Sequence, residues 1–327
     1  MPLVPFIRDA AGADSVTVDD GDLLTGGAIQ ENRALTVTIH GGAFDGRHEL
    51  VLRAEATTTI SESRPLAQQF ALLKAAEAAG VTVPRPLWHC GDAGVAGKPF
   101  YLMERISGTA LGNRITRAGA QPALAETLAN ELARIHTMRP PHAGLEFLGA
   151  IRETPAMGAI ATYRAYLDEM PEPHPVLEWT LRWLENNAPP MGETVLCHRD
   201  FRTGNYMVDD GVLTGVLDWE FAGWGDPHED IAWFCARCWR FAGPRLEAGG
   251  IAGRDIFYRA YEKASGRTID PKQVHYWEAM AHVRWAVIAL QQAMRHRSGD
   301  EPSLELALIG RRLAEIEYEC LNLTGAL

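Results

Sequence analysis

The sequence predicts an α+β protein in two lobes, a small strand-rich one followed by a larger helical one. Two observations carry this. Roughly the first hundred residues show period-two apolar patterns around a single helical stretch. From about Leu111 onward the apolar spacing changes to three and four residues. The change sets the join near Ile106-Ser107-Gly108, so the lobes are expected at residues 1–105 and 106–327.

Residues 1–25 carry no decisive pattern. In "LLTGGAIQENRALTVTI", Gly26 and Gly27 mark a bend, and Leu35, Val37 and Ile39 then alternate with threonines as a strand. "GGAFDGRHE" reads as a turn and "ELVLRAEA" as the returning strand of a hairpin. "PLAQQFALLKAAEAAG" reads as a helix, capped by Ser61 or Ser63 and ended by Gly80. "VTVPRPLWHC" and "KPFYLMERI" supply further strands. In "PALAETLANELARIHTM", Leu124, Leu128, Leu132 and Ile135 line one helical face. "TYRAYLDEM" and "VLEWTLRWLENNA" continue as helices. So do "DIAWFCARCWRF", "RDIFYRAYEKASG", "QVHYWEAMAHVRWAVIALQQAMRHRSG" and "SLELALIGRRLAEIEYECLNL".

The formal net charge is −11, which argues against a nucleic-acid surface or a polybasic membrane patch. A partner that is small, or cationic, or delivered with a metal ion fits that balance. The five cysteines are odd in number and scattered, so no disulfide framework is expected. Cys235 and Cys238 have CxxC spacing but lie in an apolar, aromatic helical run with no second pair, and read as structural thiols. The N-terminal residues lack a basic then apolar leader pattern, and no apolar run approaches the ~18 residues of a membrane helix. The expected compartment is a reducing cytoplasm, with no membrane partner.

The chemistry concentrates in "LCHRDFRTGNYMVDDGVLTGVLDWEFAGWGDP", from Leu196 to Pro227. Tyr206 to Val208 and Val212 to Leu217 are short strands, and Asp209-Asp210-Gly211 suits the turn between them. Antiparallel pairing brings Asn205 and Asp218 together at the open end of this hairpin. An amide oxygen and a carboxylate there suit a hard divalent cation. Asp200, five residues before Asn205, could take a proton from a hydroxyl. His198-Arg199-Asp200 followed by Asn205 fits the kinase catalytic-loop pattern H-R-D-x-x-x-x-N. Asp209, Asp210 and Asp226 read as turn residues, and His198 as a loop organiser rather than an acid or base.

With "HRDFRTGNYMV" and "GVLDWEFAGWGDPHEDIAWFC", the chain resembles the aminoglycoside phosphotransferase and choline kinase superfamily of the protein-kinase-like fold. "VPRPLWHC", "PFYLMERISG" and "RWAVIALQQAMRHRSG" look like the kinase-like subgroup linked to acyl-CoA dehydrogenases. The resemblance implies a bilobal fold and a phosphotransferase that uses Mg2+ and moves the γ-phosphate of ATP or GTP to a hydroxyl of a small molecule. It implies Asp200 as catalytic base, Asn205 and Asp218 as metal ligands, and Asp230 as acceptor of backbone N–H bonds from the catalytic loop. Gly26 and Gly27 would begin the loop over the phosphates. Glu104 to Ile106 would form the inter-lobe hinge that offers backbone groups to a purine edge. Arg53 stands where the family has a phosphate-contacting lysine, and Gln69 where it has the partner glutamate. Arginine can still contact phosphate, but a neutral Gln69 reduces the ion pair to at most a hydrogen bond. That departure keeps a catalytically silent nucleotide-binding module open beside the kinase. The acceptor would be a hydroxyacyl thioester, or an aminoglycoside or other antibiotic. The aromatic and basic character of "CARCWRF" and "MAHVRWAVIALQQAMRHR" favours an amphipathic or anionic molecule, with Arg202 and Arg240 as candidates to meet it.

Overall fold

The computed structural model describes residues 2–24, 31–55, 63–151, 153–299 and 301–327. The chain divides into two compact units. The first comprises Met1–Ile115, Pro141–Leu148 and Thr203–Ala222, and the second Thr116–Pro140, Gly149–Arg202 and Gly223–Leu327. The first unit is therefore built from three separate runs, one of which carries the Asp-Asp-Gly hairpin.

The strands are β1 (Ser15–Leu23), β2 (Glu31–His40), β3 (Gly46–Ala54), β4 (Pro86–Cys90), β5 (Phe100–Glu104), β6 (Val195–Cys197), β7 (Tyr206–Asp209), β8 (Val212–Val216) and β9 (Gly223–Gly225). In the first unit, an antiparallel sheet runs in the order β1-β2-β3-β5-β4. Its β2 side chains alternate as the threonine spacing requires, so that Leu35, Val37 and Ile39 are all buried. The helix Leu3–Ala11 lies against this face, with Leu3, Ile7 and Ala11 buried one turn apart and Phe6 edge-on to Phe100. Leu3 and Ile7 each contribute about 1.5–3 kcal/mol by this burial. The sequence hid this helix because prolines at 2 and 5 look like breakers, yet a first helical turn tolerates them.

The helix Leu66–Ala78 is not capped by a serine as expected. Pro65 holds the N-cap position, and the Ser63 hydroxyl donates instead to the Glu220 carboxylate at 2.7 Å. Ser61, like Gly26 and Gly27, lies outside the described residues.

The second unit is helical, with β6 and β9 paired as a two-stranded ladder. Several of its helices start with proline at the first turn, among them Pro122–Ile135, Pro155–Asp168, Pro175–Asn186, Pro227–Cys235 and Pro271–Ser298. Thr154, Asp226 and Asp270 cap theirs through side-chain oxygens. Asp226 is thus a helix cap as well as the turn residue expected. Pro271–Ser298 packs against Pro227–Cys235, Pro175–Asn186, Leu304–Gly310 and Leu313–Leu323. The last two replace the single helix that the sequence suggested. At the break, Gly310 approaches Ala293 so closely that a Cβ would lie 2.5 Å from that alanine's own. None of the described helices is long and apolar enough to cross a membrane.

His282, buried on the long helix, gives a pH prediction. Its Nδ1 bonds the Glu278 carbonyl at 2.7 Å, and burial pushes its pKa down to about 4. The folded state therefore resists a proton that the unfolded chain accepts near pH 6.5. Stability is expected to fall by on the order of 3 kcal/mol as the pH drops from 6.5 to about 4. Urea midpoints across that range test this, and a His282→Gln variant whose pH slope equals that of the wild type would refute it.

Candidate active site

Two groups of residues carry the expected chemistry, one in each unit. In the first unit, the hairpin of β7 and β8 turns through Asp210 at φ 47° and Gly211 at φ 80°, the left-handed pair that a tight hairpin demands. Tyr206 faces Val216, and one residue further out the Leu217 N–H donates to the Asn205 carbonyl at 2.8 Å. Asn205, buried, and Asp218 thus flank the open end, as the turn spacing predicts.

Asp218 has left-handed backbone, φ 59°, a conformation that costs a non-glycine residue about 1 kcal/mol or more. Its Oδ1 accepts a hydrogen bond of 2.8 Å from Arg53 Nη1 on β3, an ion pair between residues 165 apart in sequence. Burial alone would favour the neutral form of Arg53. The facing Tyr101, Asp218 and Glu220 reverse this and push its pKa above the ordinary value. Gln69 donates its amide to the Arg64 carbonyl at 2.7 Å. Among the described residues, Arg53 Nε and Gln69 Oε1 find no hydrogen-bond partner, so the two side chains do not bond each other. The buried Glu220 accepts the Ser63 hydroxyl, and its carbonyl accepts the Arg64 N–H at 3.0 Å.

Glu104 ends β5 opposite Leu50, and its N–H donates to the Arg85 carbonyl at 2.9 Å. Ile106 is half-buried against the hairpin at Gly215, where a Cβ would come within 2.6 Å of the isoleucine Cδ1. The next residues are tied to the hairpin as well. Ser107 Oγ donates to Asp209 at 2.6 Å, Thr214 Oγ1 donates to the Ser107 carbonyl at 2.7 Å, and Thr109 and Val208 exchange backbone bonds. Gly108, at φ 112°, is needed there, since a Cβ would meet the Val208 carbonyl oxygen at 2.5 Å.

In the second unit, Asp200 is buried and its Oδ1 takes two donors. Trp233 Nε1–H donates at 2.9 Å and Arg202 Nε–H at 3.1 Å. Arg202 lies over Trp239 at 4.3 Å, and Arg284 lies over Trp233 at 4.4 Å. Arg284 also donates to the Arg199 carbonyl. Arg199 has φ 62°, and its N–H donates to Asp230 Oδ1 at 2.7 Å while that of His198 donates to Asp230 Oδ2 at 2.6 Å. These are the backbone bonds expected of Asp230. His198 Nδ1 accepts the Asp200 N–H at 3.2 Å, which is the expected organising role. Arg240 does not fit an anion-meeting role, because its Nε and Nη2 bond the Cys235 carbonyl at 3.1 and 2.9 Å. Sequence reasoning did not assign Trp233 to the site. Its position three residues after Asp230 on one helix is the signal that could have.

His136, Cys197 and Asp230 form a further group whose ligand-type atoms lie within 4.8 Å of one another, all buried. Each already has a protein partner: His136 bonds Tyr261 at 2.7 Å and Asp230 at 3.3 Å, and the Cys197 thiol meets the Asp226 carbonyl at 3.2 Å. Burial lowers the pKa of His136, while its bond and charge effects hold Asp230 below the ordinary range against desolvation. With every member held by protein partners, the group reads as a structural network. Burial also pushes the Cys235 thiol up to about 12 and the Cys238 thiol higher, which disfavours the thiolate at both.

Known proteins resemble the chain in sequence and in fold. The human protein named Acyl-CoA dehydrogenase family member 11 is 26% identical over 274 residues, 78% of this chain and 35% of that protein. The chain spans 18% to 35% of the length of the curated relatives it matches. A crystal structure from Ralstonia eutropha JMP134, named "a putative aminoglycoside phosphotransferase", superposes with a TM-score of 0.79 at 21% identity, covering 99% of this chain and 98% of that one. The GDP complex of aminoglycoside 2'-phosphotransferase-IIIa gives 0.61 at 14% identity, covering 96% and 97%. Both establish the bilobal kinase-like fold. The Phosphotransferase enzyme family matches residues 24–269, and the chain therefore belongs to that family.

Proposed function

We propose that the chain transfers the γ-phosphate of ATP or GTP to a hydroxyl of a small molecule with the help of Mg2+. The supporting observation is the H-R-D-x-x-x-x-N run feeding a hairpin that ends in Asn205 and Asp218, in a member of the phosphotransferase family. Asp200 takes the proton of the acceptor hydroxyl. Asn205 and Asp218 are the residues that would hold magnesium. They offer the oxygen donors a hard cation needs. When bound, the ion neutralises charge on the nucleotide phosphates. Arg53, charged at any working pH, contacts those phosphates, and Gly26, Gly27 and the backbone of Glu104 to Ile106 complete the nucleotide site.

The positive charge of Arg202 and Arg284, each stacked on an indole beside Asp200, disfavours a polycationic aminoglycoside, and the indoles suit an amphipathic acceptor. A hydroxyacyl thioester is the class in keeping with the acyl-CoA dehydrogenase relatives. The absence of an Arg53–Gln69 bond favours a second reading, nucleotide binding without turnover.

Thermal shift with Mg·ATP and Mg·GTP, followed by nucleoside diphosphate release against 3-hydroxybutyryl-coenzyme A, kanamycin and other hydroxylated compounds, separates the readings. Stabilisation of several degrees and turnover support the kinase. Stabilisation alone supports the silent module, and the absence of both stabilisation and turnover would rule out the nucleotide site. Because Arg53 occupies an oxygen of Asp218, Arg53→Met has opposite expected effects on two ligands. It weakens Mg·ATP roughly tenfold or more, through loss of a charged phosphate contact, and tightens Mn2+ alone. Titration calorimetry reads both, and equal shifts in one direction would contradict the assignment.

A further inference from the structure

We propose that Trp233 is a positioning residue for Asp200, its indole N–H fixing the rotation of the carboxylate that meets the acceptor hydroxyl. This rests on Asp200 being the base of the proposed transfer. The χ2 torsion of aspartate is broad, so packing alone does not settle how the carboxylate plane is turned toward a substrate. A donor on one oxygen settles it only if the donor is itself immobile.

Trp233 meets that condition. It is 2% exposed and packed in a buried cluster with Ala236, Trp239 and Ala281. The Trp239 ring lies 5.2 Å away, and Arg284 covers the indole face at 4.4 Å. Arg284 is in turn bonded to the Arg199 carbonyl, one residue before Asp200. The indole therefore stands between a cation anchored on the catalytic loop and the carboxylate of that same loop. Trp233 also shares its helix with Asp230, which fixes the loop's backbone. One helix thus sets both the loop and the side chain it carries. Arg202 reaches the same Oδ1, but it is a longer, partly exposed side chain at 3.1 Å. Tryptophan is the rigid donor, with two torsions and no alternative N–H.

The test uses the full chain with Mg·ATP, measuring ADP release with water and with 3-hydroxybutyryl-coenzyme A as acceptors. Trp233→Phe keeps an aromatic ring and removes the N–H. Its expected result is a roughly tenfold lower kcat with KM for nucleotide and acceptor within about threefold, because a hydrogen bond to a charged group is lost at the reacting centre. Trp233→His, which restores a ring N–H, is expected to recover part of that loss, whereas a purely structural role predicts that it does worse than phenylalanine. If Trp233→Phe does not fold, Arg284→Met carries the test, with a smaller loss of kcat at unchanged KM expected. Wild-type kcat in a folded Trp233→Phe, or in Arg284→Met where that variant stands in, overturns the inference. Asp200→Asn separates the two claims. Its retaining full turnover, or a wild type that releases no ADP with either acceptor, removes the proposed base and the inference together. An inactive Asp200→Asn beside an unaffected Trp233→Phe leaves the base in place and discards the positioning.

Discussion

Replacing Asp200 with asparagine is expected to lower turnover by roughly 10²–10⁴-fold while leaving Mg·nucleotide affinity within about threefold. The substitution is nearly isosteric. The asparagine carbonyl can still accept the Trp233 N–H, so the loop keeps its shape. What disappears is a group able to take a proton, together with the negative partner of Arg202. Nucleotide binding is assigned to other residues and should persist, so the defect ought to lie in kcat. Initial rates of ADP release and nucleotide-induced thermal shifts, measured on the same preparation, check this. Turnover within threefold of wild type would remove Asp200 from the chemistry.

The second large effect concerns stability. Asp230→Ala is expected to destabilise the protein by about 3–5 kcal/mol at neutral pH. Asp230 is fully buried and accepts the N–H groups of His198 and Arg199 and the imidazole of His136. Alanine removes the acceptor that these donors share at a fully buried position and frees Arg199 to leave its left-handed conformation. The sign of the pH dependence follows from the carboxyl being held below its ordinary range. Its contribution is complete above the unfolded value near 3.9 and fades as the pH falls through the folded one. Denaturation curves of wild type and variant should therefore differ most at neutral pH and converge in acid. A difference below about 1 kcal/mol at pH 7 would show that the loop is held by other contacts.

Much of this was written in local spacing. Asp209-Asp210-Gly211 announces a tight hairpin, and the hairpin fixes where Asn205 and Asp218 emerge. The alternation of Leu35, Val37 and Ile39 announces a buried strand face. What spacing could not show are pairs made across long stretches of chain. Arg53 finds Asp218 across 165 residues, and Trp233 finds Asp200 across 33. Such pairings follow from tertiary packing, which no window of sequence contains. The strand β1 was obscured for another reason. Asp19, Asp20 and Asp22 depress its strand propensity, and pairing with β2 overrides that preference.

The fastening of residues 107–109 to the hairpin makes the expected hinge and the expected metal ligands parts of one mechanical piece. A purine edge held at the backbone of Glu104 to Ile106 and a cation held at the hairpin's mouth would then restrain the same piece. Whichever arrived first would remove freedom that the second no longer has to lose, so their affinities would be positively linked. Choice of purine and appetite for metal could not drift apart in such a protein. A substitution that altered one would show in the other.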